Sequence, residues 1–165
     1  MMRRILILGT ILAASGAFAA DQPSVQVEPT NLQGPRPLAK QTASAVVHDY
    51  LQAWQSMAAA MDQNRPELLD RDFVGEAREK LGATVAEQTK FGMRTHYQER
   101  SHDIKIIFYS PEGLSIQLVD NIEYDEQLLN NGKVIAVQPI HTRYVAVLTP
   151  TEVQWKVRIL QSEPL

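Results

Sequence analysis

Between residues 39 and 61 the apolar positions Val47, Leu51, Trp54, Ala58 and Met61 recur at steps of four, three, four and three, and Val46, Tyr50 and Met57 widen the stripe. That is the period of an α-helix with one face against a core, so a first long helix is predicted here. Asn64-Arg65-Pro66 interrupts it, and Pro66 suits the opening turn of a second, short helix through Leu68, Leu69 and Phe73. A third helix over 75–91 gathers Ala77, Leu81, Val85 and Gln88 on one face, with Gly92 as its left-handed terminator. Gly82 inside it costs about 1 kcal/mol against alanine.

After Tyr97 the period changes to two. Residues 104–109 read as a short strand ended by Ser110-Pro111-Glu112-Gly113, and residues 114–128 as a long half-buried one with Ile116, Leu118, Ile122 and Tyr124 on one face. Asn130-Asn131-Gly132 is a hairpin signal leading into a third strand over 133–148. Thr149-Pro150-Thr151 turns the chain into a fourth over 152–161, where Val153, Trp155, Val157 and Ile159 alternate with polar residues. The fold class is therefore α+β: three N-terminal helices packed on a strongly bent antiparallel sheet of about four strands, in one domain over 39–163.

The N-terminus changes the picture of where the domain works. Basic Arg3 and Arg4, the apolar run 5–14 and the small residues up to Ala20 form a secretory signal peptide over 1–19, with Ala17 and Ala19 at cleavage-site spacing. An apolar run that short falls below the roughly 20 residues of a membrane-spanning helix. Export to a periplasmic or extracellular compartment is the expectation, with no membrane span left after cleavage. Residues 20–38 contain Pro23, Pro29, Pro35 and Pro37 and read as a Pro-rich flexible linker.

Of the 16 Lys and Arg, Arg3 and Arg4 belong to the signal, so the rest of the chain carries 14 basic residues against 19 acidic ones. That balance disfavours a nucleic-acid or anionic-membrane partner, since both are bound mainly through clustered positive charge. Without cysteine there is no disulfide and no thiolate metal site. His48, His96, His102 and His141 have no zinc-site spacing, and no cofactor-binding fingerprint is present, so neither a metal nor a cofactor is expected.

The helix pattern, the order of elements and the closing strand Trp155-Lys156-Val157-Arg158 together resemble the nuclear transport factor 2-like superfamily of cone-shaped domains. The layout is most similar to its intermembrane-space import and plastid-division branches. The resemblance covers residue 39 to about 163 and implies a cystatin-like cone. The superfamily holds isomerases, dehydratases and cyclases beside non-catalytic binding domains, so the resemblance leaves function open.

Asp120 falls on the apolar side of its strand between Leu118 and Ile122, where burial penalises its charge. It could act there as a general base, with Tyr50 donating to an oxyanion. A β-bulge near Asp120 or Asn121 would instead turn the carboxylate to water, and that is the preferred reading. Tyr50, Trp54, Tyr124 and Trp155 are candidates for lining an apolar ligand pocket, although aromatics at such spacing more commonly form plain core. In the third strand Val145 and Val147 stand on the face where a one-sided sheet places polar residues, which marks an interface.

Two functions compete. One is an exported non-catalytic binding or assembly module, partnered by a second copy or another extracytoplasmic protein. The other is a small-molecule lyase or isomerase using Asp120 and Tyr50 inside the cone. A sealed cone favours the first, and an open apolar pocket with Asp120 at its base favours the second.

Overall fold

A computed structural model describes residues 22–32 and 34–165. The predicted signal peptide lies outside the described residues. The long helix, α1 (Lys40–Gln63), buries Val46, Val47, Tyr50, Ala53, Trp54, Met57, Ala60 and Met61. Its end is set by Asn64, left-handed at φ 53. From the next helix, α2 (Gly75–Lys90), Gln88 Nε2 donates to Met61 O and Asn64 Oδ1 at 2.6 Å each, which satisfies acceptors that a helix C-terminus leaves open.

Between the two helices the structure departs from expectation. Pro66–Leu69 is a 3₁₀ turn rather than a helix reaching Phe73. The backbone of the following residues is taken up by a strand instead: Val157 N donates to Asp72 O and Val74 N to Val157 O, both at 2.9 Å. Phe73 bridges Val157 and enters the core.

The sheet has five strands in the order β1 (Ser24–Val27), β2 (Met93–Tyr109), β3 (Ile116–Asn130), β4 (Lys133–Pro150) and β5 (Trp155–Glu163). The last four form the expected antiparallel meander. The fifth strand corrects the strand count, and it lies within residues 20–38, expected as a Pro-rich flexible linker. β1 runs parallel to β2, with Ser24 beside Ser101 and Val27 beside Ile104. Beyond it Leu32 and Leu38 pack on the core, and the Arg36 guanidinium lies 5.2 Å from the Tyr109 ring centre. A four-residue strand has too few alternations to be legible, and it forms because β2 offers an open edge.

β2 begins at Met93, well before residue 104, because its polar first half pairs with the far half of β3, His96 opposite Gln127 for example. Asn131 and Gly132 both have positive φ, 48 and 78, as a type I′ hairpin turn requires. β5 accompanies β4 only from Arg143 to Pro150, so among the described residues no strand flanks the outer edge of β4 from Lys133 to Thr142. Register shifts at Glu99/Ser101, Ile106/Phe108, Leu128/Leu129 and Val147/Leu148 break the sheet's regularity, and such irregularities bend strands. The last shift places Ile159 opposite Val147, and Val153 sits 87% exposed in the β4–β5 turn, so neither shares the buried side of Val157 as expected.

The core lies between α1 and the inner face of the meander, where Ile104, Ile106, Ile116, Leu118, Ile122, Ala146, Leu148 and Val157 converge. Among the described residues no helix is long and apolar enough to cross a membrane.

Candidate functional site

Asp120 points into the domain and is wholly buried. The outward-turning bulge does not exist: pairing runs unbroken from His102 opposite Ile122 to Ile106 opposite Leu118, and the neighbouring irregularities fall outside that stretch. Alternation therefore keeps Asp120 in phase with Leu118 and Ile122.

Three elements meet at this carboxylate. From α1, Tyr50 Oη donates to Asp120 Oδ2 at 3.1 Å. From β2, Asp103 N donates to Oδ1 at 3.2 Å, and His102 Nδ1 lies 2.7 Å from Oδ2. His102 Nε2 lies 2.9 Å from Glu99 Oε2, so the imidazole bridges two carboxylates. Burial alone pushes that imidazole down, but hydrogen bonds and charge from Asp120 and Glu99 outweigh it and bring its pKa up to about 9. In its protonated form both ring nitrogens donate. The Tyr50 hydroxyl is held well above its ordinary value, first by burial and then by the Asp120 charge. The Trp54 N–H interacts with Tyr50 and offsets part of that rise, yet completes no hydrogen bond of normal geometry.

Glu99 connects this buried chain to the surface. It lines a cleft of about 500 Å³ with Gln22, Pro23, Gln55, His96, Tyr97 and Gln98. The arrangement can carry a proton between that cleft and the Asp120–Tyr50 pair. Periodicity would have exposed His102, since it stands in phase with Ile104 and Ile106. Tyr144 carries a comparable signal, in phase with Ala146 and Leu148, whereas Glu99 carries none.

The four aromatic pocket candidates separate. Tyr50 and Trp54 do face a common space with Ala53, Met57, Phe73, Val157 and Leu160, and these side chains leave it too narrow for a water molecule. Trp54 packs against His102, Tyr124 and Tyr144 with ring centres 5.7, 5.9 and 5.2 Å apart. Burial raises the hydroxyl pKa of Tyr124 and Tyr144, as it does for Tyr97, whose ring lies 5.5 Å from that of Tyr124. Tyr124 also borders a separate cleft of about 300 Å³ lined by Arg100, Asp125 and His141, among others. Trp155 is half-buried at the start of β5, where its backbone N–H donates to Asp49 Oδ2 at 2.8 Å. Among the described residues no three His, Asp or Glu are grouped as metal ligands.

Val145 and Val147 are half-buried on the outer face of the sheet. Register sets Val147 in a row with Phe108, Gln117 and Ile159, and Val145 in the next row with Lys105, Val119 and Gln161. Gln117, Lys105 and Gln161 interrupt these two rows, and the following row, Asp103, Asn121, Arg143 and Glu163, is polar throughout, which bounds the apolar patch on that side.

The arrangement of helices over a bent sheet is matched among solved structures. The intermembrane-space region of the chloroplast protein ARC6 superimposes with a TM-score of 0.62 at 13% identity, covering 79% of this chain and 100% of that one. The chain has the nuclear transport factor 2-like fold. A candidate scytalone dehydratase from Novosphingobium aromaticivorans shares this fold with a TM-score of 0.52 at 16% identity, over 76% of this chain and 89% of its own. A candidate dehydratase of the NTF2-like family from Streptomyces avermitilis does so with a TM-score of 0.50 at 10% identity, over 74% and 98%. No family model and no curated protein matches the sequence. The nuclear transport factor 2-like fold thus houses both a plastid-protein region and proteins described as enzymes, and fold alone does not choose between them.

Proposed function

We propose that the chain is an exported, non-catalytic binding or assembly module that pairs with a second copy of itself through the outer face of its sheet. The observation that carries this reading is the packed interior: the space beside Tyr50 and Trp54 is too narrow for a water molecule, and Asp120 already accepts from Tyr50 and the Asp103 N–H while His102 sits against it. A reactant has no room there. The outer face instead offers Phe108, Val119, Val145, Val147 and Ile159 in two adjacent rows, an apolar patch that a twofold pair would cover on both copies at once.

Sedimentation tests the pairing. The wild type should run as a dimer, and the double substitution Val145→Lys, Val147→Lys as a folded monomer. A wild-type monomer at high micromolar concentration would transfer the patch to another extracytoplasmic protein. Export rests separately on residues 1–19: protein recovered outside the cytoplasm should begin at Ala20 or Asp21, and a cytoplasmic product retaining Met1 removes that part.

A lyase or isomerase reading is favoured by one observation, the Tyr50–Asp120 hydrogen bond with His102 behind it. In that reading Asp120 removes a proton from carbon, Tyr50 donates to the developing oxyanion, and the interior opens to admit a small apolar ligand. A Trp155→Phe variant leaves Trp54 as the sole indole reporter. Emission that responds to small aromatic ligands supports entry, and emission indifferent to them counts against it.

A further inference from the structure

We propose that the tip built from the α2–β2 turn and the β3–β4 hairpin docks on an anionic lipid surface, with Phe91, Val134 and Ile135 entering the headgroup layer. The two chain reversals lie side by side, tied by Asn131 N donating to Gly92 O at 3.3 Å. Phe91 is 63% exposed, Val134 51% and Ile135 55%, on the two strand-connecting turns and the residues next to them. Side chains of this size left in water at neighbouring turns mark a contact surface.

Charge identifies the occupant. Lys90 and Lys133 are exposed and adjoin the apolar residues, with Lys90 Nζ 5.7 Å from the Phe91 ring centre. Arg94 stands behind them, one N–H donating to Asp62 O. From Gln88 to Gln98 and from Gln127 to Ile140 there is no Asp or Glu, although the whole chain has formal charge −3. Acidic residues begin at Glu87, one helical turn back, at Glu99 and Glu126 along the strands, and at Asp62 near the end of α1, whose carboxylate lies 3.6 Å from His96 Nδ1. The overall composition, which argues against a basic surface, conceals this local one. An apolar point with a basic collar fits an interface where anionic headgroups overlie acyl chains, because the lysine stems reach outward while the apolar groups descend. A peptide partner would need a groove for its side chains, whereas these residues stand on reversals.

The test is co-sedimentation of the protein beginning at Ala20, which contains every element and core residue of the fold, with vesicles of phosphatidylcholine with and without phosphatidylglycerol. Binding should require phosphatidylglycerol and weaken with added salt. Lys90→Gln with Lys133→Gln should weaken it on the order of 25-fold, at about fivefold per lysine. Phe91→Ser with Ile135→Ser should reduce it to the level seen without phosphatidylglycerol, with the thermal midpoint held because both side chains are exposed. Equal retention on the two vesicle types, or lysine variants that bind like wild type, overturns the proposal; no retention on either does so too and leaves an acidic protein as the occupant. The patch at Val145 and Val147 is a different surface, so the dimer and the lipid contact can fail independently.

Discussion

His102 Nδ1 lies 2.7 Å from Asp120 Oδ2 with both side chains shut away from water, on adjacent strands whose register makes them diagonal neighbours. The pair fixes the phase of β2 against β3 and gives the folded state a preference for the protonated imidazole.

That preference makes stability depend on pH. The folded pKa of His102 is raised, from an ordinary 6.5 to about 9, so its contribution is fully present below the unfolded value and is lost as pH rises through the folded one. Urea unfolding should show stability falling by up to about 3 kcal/mol between roughly pH 6 and pH 9.5. His102→Gln should flatten that slope and lower stability at the acidic end. An unchanged slope in the variant would assign the dependence to other groups.

Removing neighbours of the same site should separate packing from hydrogen bonding. Trp54→Ala deletes a buried indole and should cost about 3–5 kcal/mol. Tyr50→Phe keeps the ring and removes one donor from a buried acceptor, at about 1–3 kcal/mol. Chemical denaturation of both variants checks the order, and a Tyr50→Phe cost equal to that of Trp54→Ala would mean that the hydroxyl holds more than Asp120.

The long helix was legible because its apolar stripe repeats over several turns, and the Asn-Gly hairpin because that turn chemistry is local. Asp120 was visible as an anomaly in an apolar phase, but its direction depended on whether a bulge intervened, and bulges answer to the neighbouring strand. The inward turn of Ser110, where the Oγ accepts from Leu114 N and Ser115 N at 3.1 Å, had a readable Pro-Glu-Gly signal. Strand β1 had none, because Val25 and Val27 acquire an element only from β2. The polar run from Arg94 to Asp103 hid a strand because Tyr97 is its single apolar residue, and the hydrophobic alternation is carried by the partner strand through Ile122 and Tyr124.

The segment before α1 should therefore contribute to stability. A protein starting at Ala39 loses β1, the packing of Leu32 and Leu38, and the contact of Arg36 with Tyr109. Two half-buried leucines alone correspond to about 2 kcal/mol. Scanning calorimetry should place its midpoint several degrees below that of the protein starting at Ala20, and equal midpoints would show that the segment rests on the domain without holding it.

The outer rim of β4 from Lys133 to Thr142 runs unaccompanied, and a rim of open backbone groups invites copy after copy to add on until a fibre grows. Two features interrupt that template. Ile135 is left out of the pairs between β3 and β4 by the shift at Leu128/Leu129, and Pro139 has no N–H to offer an incoming strand. Replacing Pro139 with Val should remove one of these stops, so that incubation near the unfolding midpoint yields thioflavin-positive aggregates faster than wild type does. The proline that punctuates this open strand edge thus keeps a folded protein from becoming a seed for its own polymer.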